Sequence, residues 1–544
     1  MNTRTLFLSL AMLASAATSS AAPPDVAAAL KTRFDGDRTG ACLVAARIDG
    51  AHVERATFCA SPRAAGAAPG FESAFEIGSV TKTMTSFLVA DLIAAGKWSL
   101  DDPIAAHLPP GTPVPRQGER QILVRDLVTH TSGLPPLPSR MGPVDLSDPY
   151  AALSEADLLA SLGDVTLTRP IGSRAEYSNF GMMVLSDAVS RAYGTSLEAA
   201  LKARLFGPLD MKGAFVATPA PGEPVAVGHT QAGTPTAAWT IAPELAGVGM
   251  VKATLDDMVR YVSAEMADGP LAARLRLTQQ PVAANFAMNW VRVRIDGREL
   301  LVHEGGTGGF SSFVGFEPAA HRGVVILADT ALTDLGGLGD VGLALLGTDR
   351  QIAPPRRAVA VSAALLRALP GDFDLGPLKL HIRADGPRLF AQATGQPEFE
   401  LLADDHGDLH PSTFDAMLTP ALVDARVDRF VWHQGGGALE GVRARLATGP
   451  ASAASALAEA ADLAKDCDGT YRLTPQFSLR VFHDGAHVKV QGTGQDAIDA
   501  DVVGPDRIEV KVVGAVVQFN RDAKGAVVGA TLLQGGAVLE GGKQ

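Results

Sequence analysis

The stretch FEIGSVTKTMTSFLVADLIAAG, from Phe75 to Gly96, decides how the rest of the chain is read. It is an apolar helical run with a single lysine, Lys82, in its first turn, three residues after Ser79 and just behind Gly78. A charge in an apolar segment is costly unless it is paired or used. Helix positions three apart share a face, so Ser79 and Lys82 point the same way. Ser79 falls at the helix start, where free amides and the helix dipole favour developing negative charge. Lys82 falls one turn deeper, among Phe87, Leu88 and Val89. Desolvation lowers a lysine pKa, so the amine can accept a proton from the serine. Gly78 removes a side chain where a ligand has to approach. The plainer reading is a solvated helix face, but no other Ser-x-x-Lys occurs in the sequence.

With 544 residues the chain is too long for one core, and two to four domains are expected. Charged residues make up 19%, the formal net charge is −12, and there is no arginine-rich run, so nucleic acid is excluded as a partner. The first residues, MNTRTLFLSLAMLASAATSSAA, carry Arg4, a short apolar stretch and small residues at Ser19 and Ala21. That pattern is expected of a cleaved signal peptide over residues 1–21, placing the protein in the periplasm or outside the cell. No stretch is long and apolar enough to span a membrane.

Three cysteines are present: Cys42, Cys59 and Cys467. CLVAARIDGAHVERATFC reads as a hairpin about Asp49-Gly50. A loop from Asp49 to His52 sets Ile48 opposite Val53 and Cys42 opposite Cys59, within disulfide reach. A bridge and two buried free thiols both remain open.

A helix-rich stretch follows to Phe206, then four strand-like runs between Asn285 and Asp329, and a helix ending near Gly347. Strands at both ends with helices between imply an α+β unit, an antiparallel sheet flanked by helices, over residues 25–350. Pro354-Pro355 marks a linker. Beyond it the chain repeats itself: GDFDLGPLKLHIRADGPRLFAQATGQ from Gly371 is echoed by GTYRLTPQFSLRVFHDGAHVKVQGTGQ from Gly469. Each copy has a glycine–aromatic start, a strand, an Asp-Gly turn, a strand and a Thr-Gly-Gln end. Two small antiparallel all-β barrels are therefore expected, over residues 351–446 (with linker) and 467–544, joined by an alanine-rich linker helix at 447–466.

Two more motifs complete a candidate site. In Tyr177-Ser178-Asn179 the phenol beside a lysine ammonium can act as a base and relay a proton, and the amide can hold a substrate carbonyl. A core tyrosine followed by a helix-capping asparagine explains the tripeptide alone equally well. In HEGGTGGFSSFVGFEP, from His303, a strand ending in glycines exposes its backbone so that a substrate can add as a further strand. The amides of Gly306 and Ser79 would together form an oxyanion hole. A glycine-rich turn is the plain alternative.

The ordered set SVTK, YSN and HEG, with LVTHTSGLP around His130 and GVGMVKATLDDM from Gly247, resembles the penicillin-recognising serine hydrolases: class C β-lactamases, D-alanyl-D-alanine carboxypeptidases, D-aminopeptidases and related esterases. The resemblance covers roughly residues 25–347. It implies Ser79 as nucleophile, Lys82 as its activating partner and Tyr177 as general base. Asn179, His303 and Gly305 would bind substrate, and the amides of Ser79 and Gly306 would hold the oxyanion. It implies no cofactor and no metal. Histidine at 303 departs from the lysine of the class C form and removes a permanent charge suited to a substrate carboxylate. A catalytic unit followed by two barrels is similar to the layout of D-aminopeptidases.

The sequence thus points to an exported serine hydrolase working through an acyl-enzyme on D-amino-acid peptides, cell-wall peptides or β-lactams. A secreted esterase using the same residues is the alternative, and a non-catalytic receptor for cell-wall fragments is the alternative of another class. Gly-x-Ser-x-Gly is absent, which excludes the α/β-hydrolase elbow. HEGGT has no second histidine at zinc-binding spacing.

Overall fold

The structure is a computed structural model. It describes residues 23–61, 68–142, 148–219, 221–283, 285–295, 297–375, 378–423, 425–434, 437–444, 465–473, 477–485, 487–493, 497–504, 506–510, 515–522, 525–534 and 537–544. The expected signal peptide lies outside these residues, as does all but the end of the expected linker helix.

The N-terminal unit is built on a six-stranded antiparallel sheet. Its strands are β1 (Cys42–Asp49), β2 (His52–Cys59), β3 (Val291–Ile295), β4 (Arg298–Gly306), β5 (Ser311–Glu317) and β6 (Arg322–Ala328), in the order β2-β1-β6-β5-β4-β3. Strand alternation sends odd and even residues of one strand into different cores. Leu301, Val314, Phe316, Val325 and Leu327 join the larger core beneath the helices. Leu300, Phe313, Val324 and Ile326 join a smaller one on the other face, covered by α1 (Val26–Phe34). The run NFAMNWVRVRI, expected to be all strand, forms strand only from Val291. Asn289 stands in the left-handed region (φ 60°) and ties its amide to the Val128 carbonyl, which takes the preceding residues out of the ladder.

Helix α2 (Thr81–Ala94) is buried on every side from Thr81 to Leu92, as a helix without a polar face has to be. It lies in the larger core with α3 (Asn179–Tyr193) and α4 (Leu255–Met266). Ser178 caps α3 through the Gly181 amide, and Thr254 forms a capping box with Asp257 on α4. The β1–β2 ladder runs on to Asp49–His52, so the turn is only Gly50-Ala51, yet the register still pairs Cys42 with Cys59, and the two form a disulfide.

Two closed eight-stranded antiparallel barrels follow. In the first, Phe399–Asp404 pairs with Leu409–Pro411 and closes the ring. In the second, Gly469–Arg472 pairs with Ala537–Lys543. Closure removes free strand edges. Each barrel has its own apolar core, centred on Phe373, Phe430 and Trp432 in one and on Tyr471, Val517 and Phe519 in the other. Among the described residues no helix is long and apolar enough to cross a membrane.

Candidate active site

Ser79 sits in a 3-10 turn, Gly78–Val80, that runs straight into α2. Gly78 adopts φ 49°, and a Cβ there would stand 2.6 Å from the Gly306 nitrogen. A Cβ on Gly305 would overlap the Ile77 carbonyl, which accepts a hydrogen bond from Ser312 Oγ at 2.8 Å. These glycines let β4 press against the serine turn. The bare backbone at 78 thus serves that contact, where the sequence reading had it clear a path for a ligand. Gly305 likewise faces the scaffold.

Lys82 is fully buried, with Nζ 2.8 Å from Ser79 Oγ and 2.6 Å from the Val248 carbonyl. No carboxylate pairs with it among the described residues, and burial alone depresses its pKa well below the ordinary lysine value. The amine lies 4.9 Å from the centre of the Tyr177 ring. Tyr177 keeps 44% of its surface open, but it stands within a cleft walled by protein. Burial raises its pKa, offset in part by the Ser79 hydroxyl. The open face moderates that rise. In the resting site burial thus pushes the two groups apart, the amine towards losing its proton and the phenol towards keeping its own.

Asn179 opens α3, donates from Nδ2 to Tyr150 Oη at 3.3 Å, and leaves Oδ1 buried without a partner. His303 on β4 is buried and engages the Glu304 carbonyl through Nδ1 at 2.7 Å. Burial, and then the charge of Lys82, lower its pKa to about 3, so it is neutral at pH 7. Glu304 points to the other face, where Oε1 accepts from the Leu338 amide at 3.1 Å. On β4, His303–Gly306 continue past Val302, where pairing with β3 stops. That leaves one side of the segment, next to Ser79, without a strand partner among the described residues.

The structure therefore gathers Ser79, Lys82, Tyr177, Asn179, His303 and Gly306 around one cleft. It adds groups the sequence reading missed: the Val248 carbonyl, Tyr150 and Trp239. Ser79, Asn179 and Gly306 line a pocket with Tyr150, Trp239, Met250 and Thr307. Tyr150 and Trp239 meet edge to face, 5.5 Å between ring centres at 86°. Trp239 is fixed by its amide, which donates to Glu76 Oε1 at 3.2 Å. One signal for it was available, a rare tryptophan in a Thr/Pro-rich loop. Both barrels touch loops that lead to these residues. Asp415 of the first accepts from the Gln231 amide at 2.6 Å, in the loop before Trp239. Asp501 of the second pairs with Arg174 at 3.1 Å, in the loop before Tyr177.

The chain is a serine hydrolase of the Beta-lactamase family, whose profile matches residues 26–345 and stops before the barrels. Among its relatives, penicillin-binding protein 4 of Amycolatopsis lactamdurans is 30% identical over 338 residues, 56% of this chain and 84% of that protein. The D-alanyl-D-alanine-carboxypeptidase/endopeptidase AmpH of Escherichia coli is 27% identical over 294 residues, 50% of this chain and 75% of that protein. Esterase EstB of Burkholderia gladioli is 33% identical over 185 residues, 32% of this chain and 46% of that protein. A β-lactamase/D-alanine carboxypeptidase from Yersinia pestis, solved with citrate, superposes with a TM-score of 0.47 at 22% identity, over 59% of this chain and 97% of that one.

Proposed function

We propose that this protein is an exported hydrolase that forms an acyl-enzyme on Ser79 and cleaves amide bonds in short D-amino-acid peptides, cell-wall peptides or β-lactams. The observation that carries the reading is the Lys82 amine, dry and without a counter-ion among the described residues, 2.8 Å from the Ser79 hydroxyl. As Oγ attacks the substrate carbonyl, its proton passes to the neutral amine. The amides of Ser79 and Gly306 take the negative charge on the carbonyl oxygen. When the carbon–nitrogen bond breaks, the Tyr177 hydroxyl passes a proton to the leaving nitrogen and regains one from Lys82. Water then attacks the ester under the same groups, with the proton path reversed. Asn179 Oδ1 is free to accept an N–H of the substrate, and the open side of His303–Gly306 suits an extended backbone.

A second reading, an esterase, is favoured by one feature. His303 is neutral, and no lysine or arginine is among the residues lining the pocket, so a substrate carboxylate has no fixed cation to meet. Intact mass after incubation with a penicillin tests the nucleophile: an adduct on the peptide containing Ser79 is expected, and its absence in Ser79→Ala. Burst kinetics with a nitrophenyl ester against D-alanine p-nitroanilide separate the two readings. An equal or larger burst with the amide supports the peptidase, and turnover of the ester alone supports the esterase.

A further inference from the structure

His130 has no part in the proton path, yet three of its groups converge on Tyr177. Its carbonyl accepts the amide of Glu176 at 2.7 Å. Its Nδ1 accepts the amide of Ser178 at 3.2 Å. Its ring lies against the Tyr177 ring, 4.4 Å between centres and tilted by 32°. The main-chain amides immediately before and after Tyr177 thus end on one residue. The imidazole is 2% exposed, with Phe286 set edge-on against it at 6.2 Å. Its backbone stands at φ 57°, in the left-handed region, and the turn brings the carbonyl and Nδ1 to the same segment.

An Nδ1 that accepts an amide carries no hydrogen, so a neutral ring holds its proton on Nε2. Nε2 is buried without a conventional partner, and so is Oδ1 of Asn289. Asn289 is 1% exposed and spends its Nδ2 on Ser86 Oγ at 2.7 Å and Met182 Sδ at 3.5 Å. Its oxygen is left for the ring, and Asn289 favours protonation of the imidazole. Burial above all lowers the pKa of the ring and keeps it from taking a second proton. Ser86 lies on α2 one turn beyond Lys82. Hydrogen bonds thus join Ser86 to Asn289 and Ser178 to His130, and the unspent Asn289 Oδ1 and His130 Nε2 are left to close the chain between the helix of the serine and lysine and the loop of the tyrosine.

We propose that His130, set in its Nε2–H tautomer by Asn289, is a positioning residue that clamps Tyr177 over Lys82. The proposal rests on the acyl-enzyme reading for its kinetic consequence but not for its structural one. A misplacement of about 1 Å in a proton-transfer group costs on the order of 10²-fold in rate.

The test uses the full chain and three variants. His130→Phe keeps a ring and removes the acceptor. His130→Asn tolerates the left-handed backbone and offers Oδ1 near the place of Nδ1. Asn289→Gly tolerates φ 60° and removes the oxygen that fixes the tautomer. Two readouts are taken: amide exchange at Ser178 compared with Glu176, and the rate of adduct formation on Ser79 with a fluorescent penicillin, separated from its non-covalent affinity. His130→Phe and Asn289→Gly are expected to speed Ser178 exchange about tenfold or more with Glu176 unchanged. They are expected to slow acylation by about ten- to a hundredfold with affinity held within about twofold. His130→Asn is expected to restore the protection and most of the rate. Ser178 exchange unchanged in both damaging variants overturns the clamp. So does an acylation rate equal to the unaltered protein's when the protection is lost. Should His130→Phe fail to fold, Asn289→Gly against His130→Asn decides alone. If the unaltered protein takes no acyl group, the acyl-enzyme reading fails, and the exchange measurement still decides the clamp.

Discussion

Of the buried cations of this molecule, Lys82 in the cleft and Arg356, where the first barrel meets the N-terminal unit, have opposite surroundings. Arg356, 2% exposed, has Nη1 2.7 Å from Asp404 and 2.6 Å from Asp408, and its amide donates to Asp37 at 2.8 Å. Burial works against its charge, but the two aspartates prevail and hold its pKa above the ordinary value. Lys82 has the Val248 carbonyl, a hydroxyl and an aromatic face, and among the described residues no anion. One site offsets the cost of desolvation and is fixed in its charge state. The other leaves it unrelieved, and the pKa of the amine falls. The same burial makes a joint in one place and a base in the other.

The largest expected effect comes from removing the unrelieved cation. Lys82→Met should lower the rate of acyl-adduct formation by about 10²- to 10⁴-fold. In thermal melts the same variant should be more stable than the unaltered protein, by about 1 to 3 kcal/mol, because a dry charge site gives way to an apolar one. Arg356→Ala should do the reverse: it strands two carboxylates and should cost about 3 to 5 kcal/mol, read from denaturant unfolding. If Lys82→Met also destabilises, the contrast between the two cations collapses.

Proton titration sharpens the comparison. Acylation needs the neutral amine, so its rate should rise with pH and level off below the ordinary lysine range, since the pKa of Lys82 is depressed. Asp404 is buried, but His410 and Arg356 hold its pKa below the usual carboxylate value. Its contribution to stability is therefore present above about pH 4 and lost as the pH falls further. Stopped-flow acylation and melting curves over the same pH series should show the activity limb without a matching stability limb. Coincident limbs would assign both to unfolding.

Smaller effects separate the two barrels. Asp415 is pushed up to about 7 by burial, against the Gln231 amide that favours its charge. A raised acid loses its stabilising contribution as pH climbs from about 4 through 7. Asp415→Asn keeps an acceptor for Gln231 and should gain about 1 kcal/mol over the unaltered protein at pH 8, with none at pH 4. The smallest change is expected for Arg174→Ala. Its pair with Asp501 is about 40% exposed on each side (43% and 42%) and is worth less than about 0.5 kcal/mol, vanishing in high salt.

What could be read from the sequence follows the same division. Ser79 and Lys82, and the facing positions of Cys42 and Cys59, were legible because helix spacing or hairpin register alone relates them; that the two cysteines are bridged was left open by the sequence. The barrels were legible because Asp-Gly turns recur in two copies. The Val248 carbonyl, Tyr150 and Trp239 were not, since each reaches the cleft only through tertiary packing across many residues. Gly78 was noticed for the wrong reason: its left-handed backbone meets β4, a partner more than two hundred residues on.

That contact between bare backbones has a consequence for anyone wishing to retrain the protein on new substrates. On the side of Gly78, Gly305 and Gly306 not even a methyl group can be accommodated, so directed evolution has no room to move there. Diversity has to be introduced on the opposite rim, at Tyr150 and Trp239, where side chains rather than main chain shape the entrance.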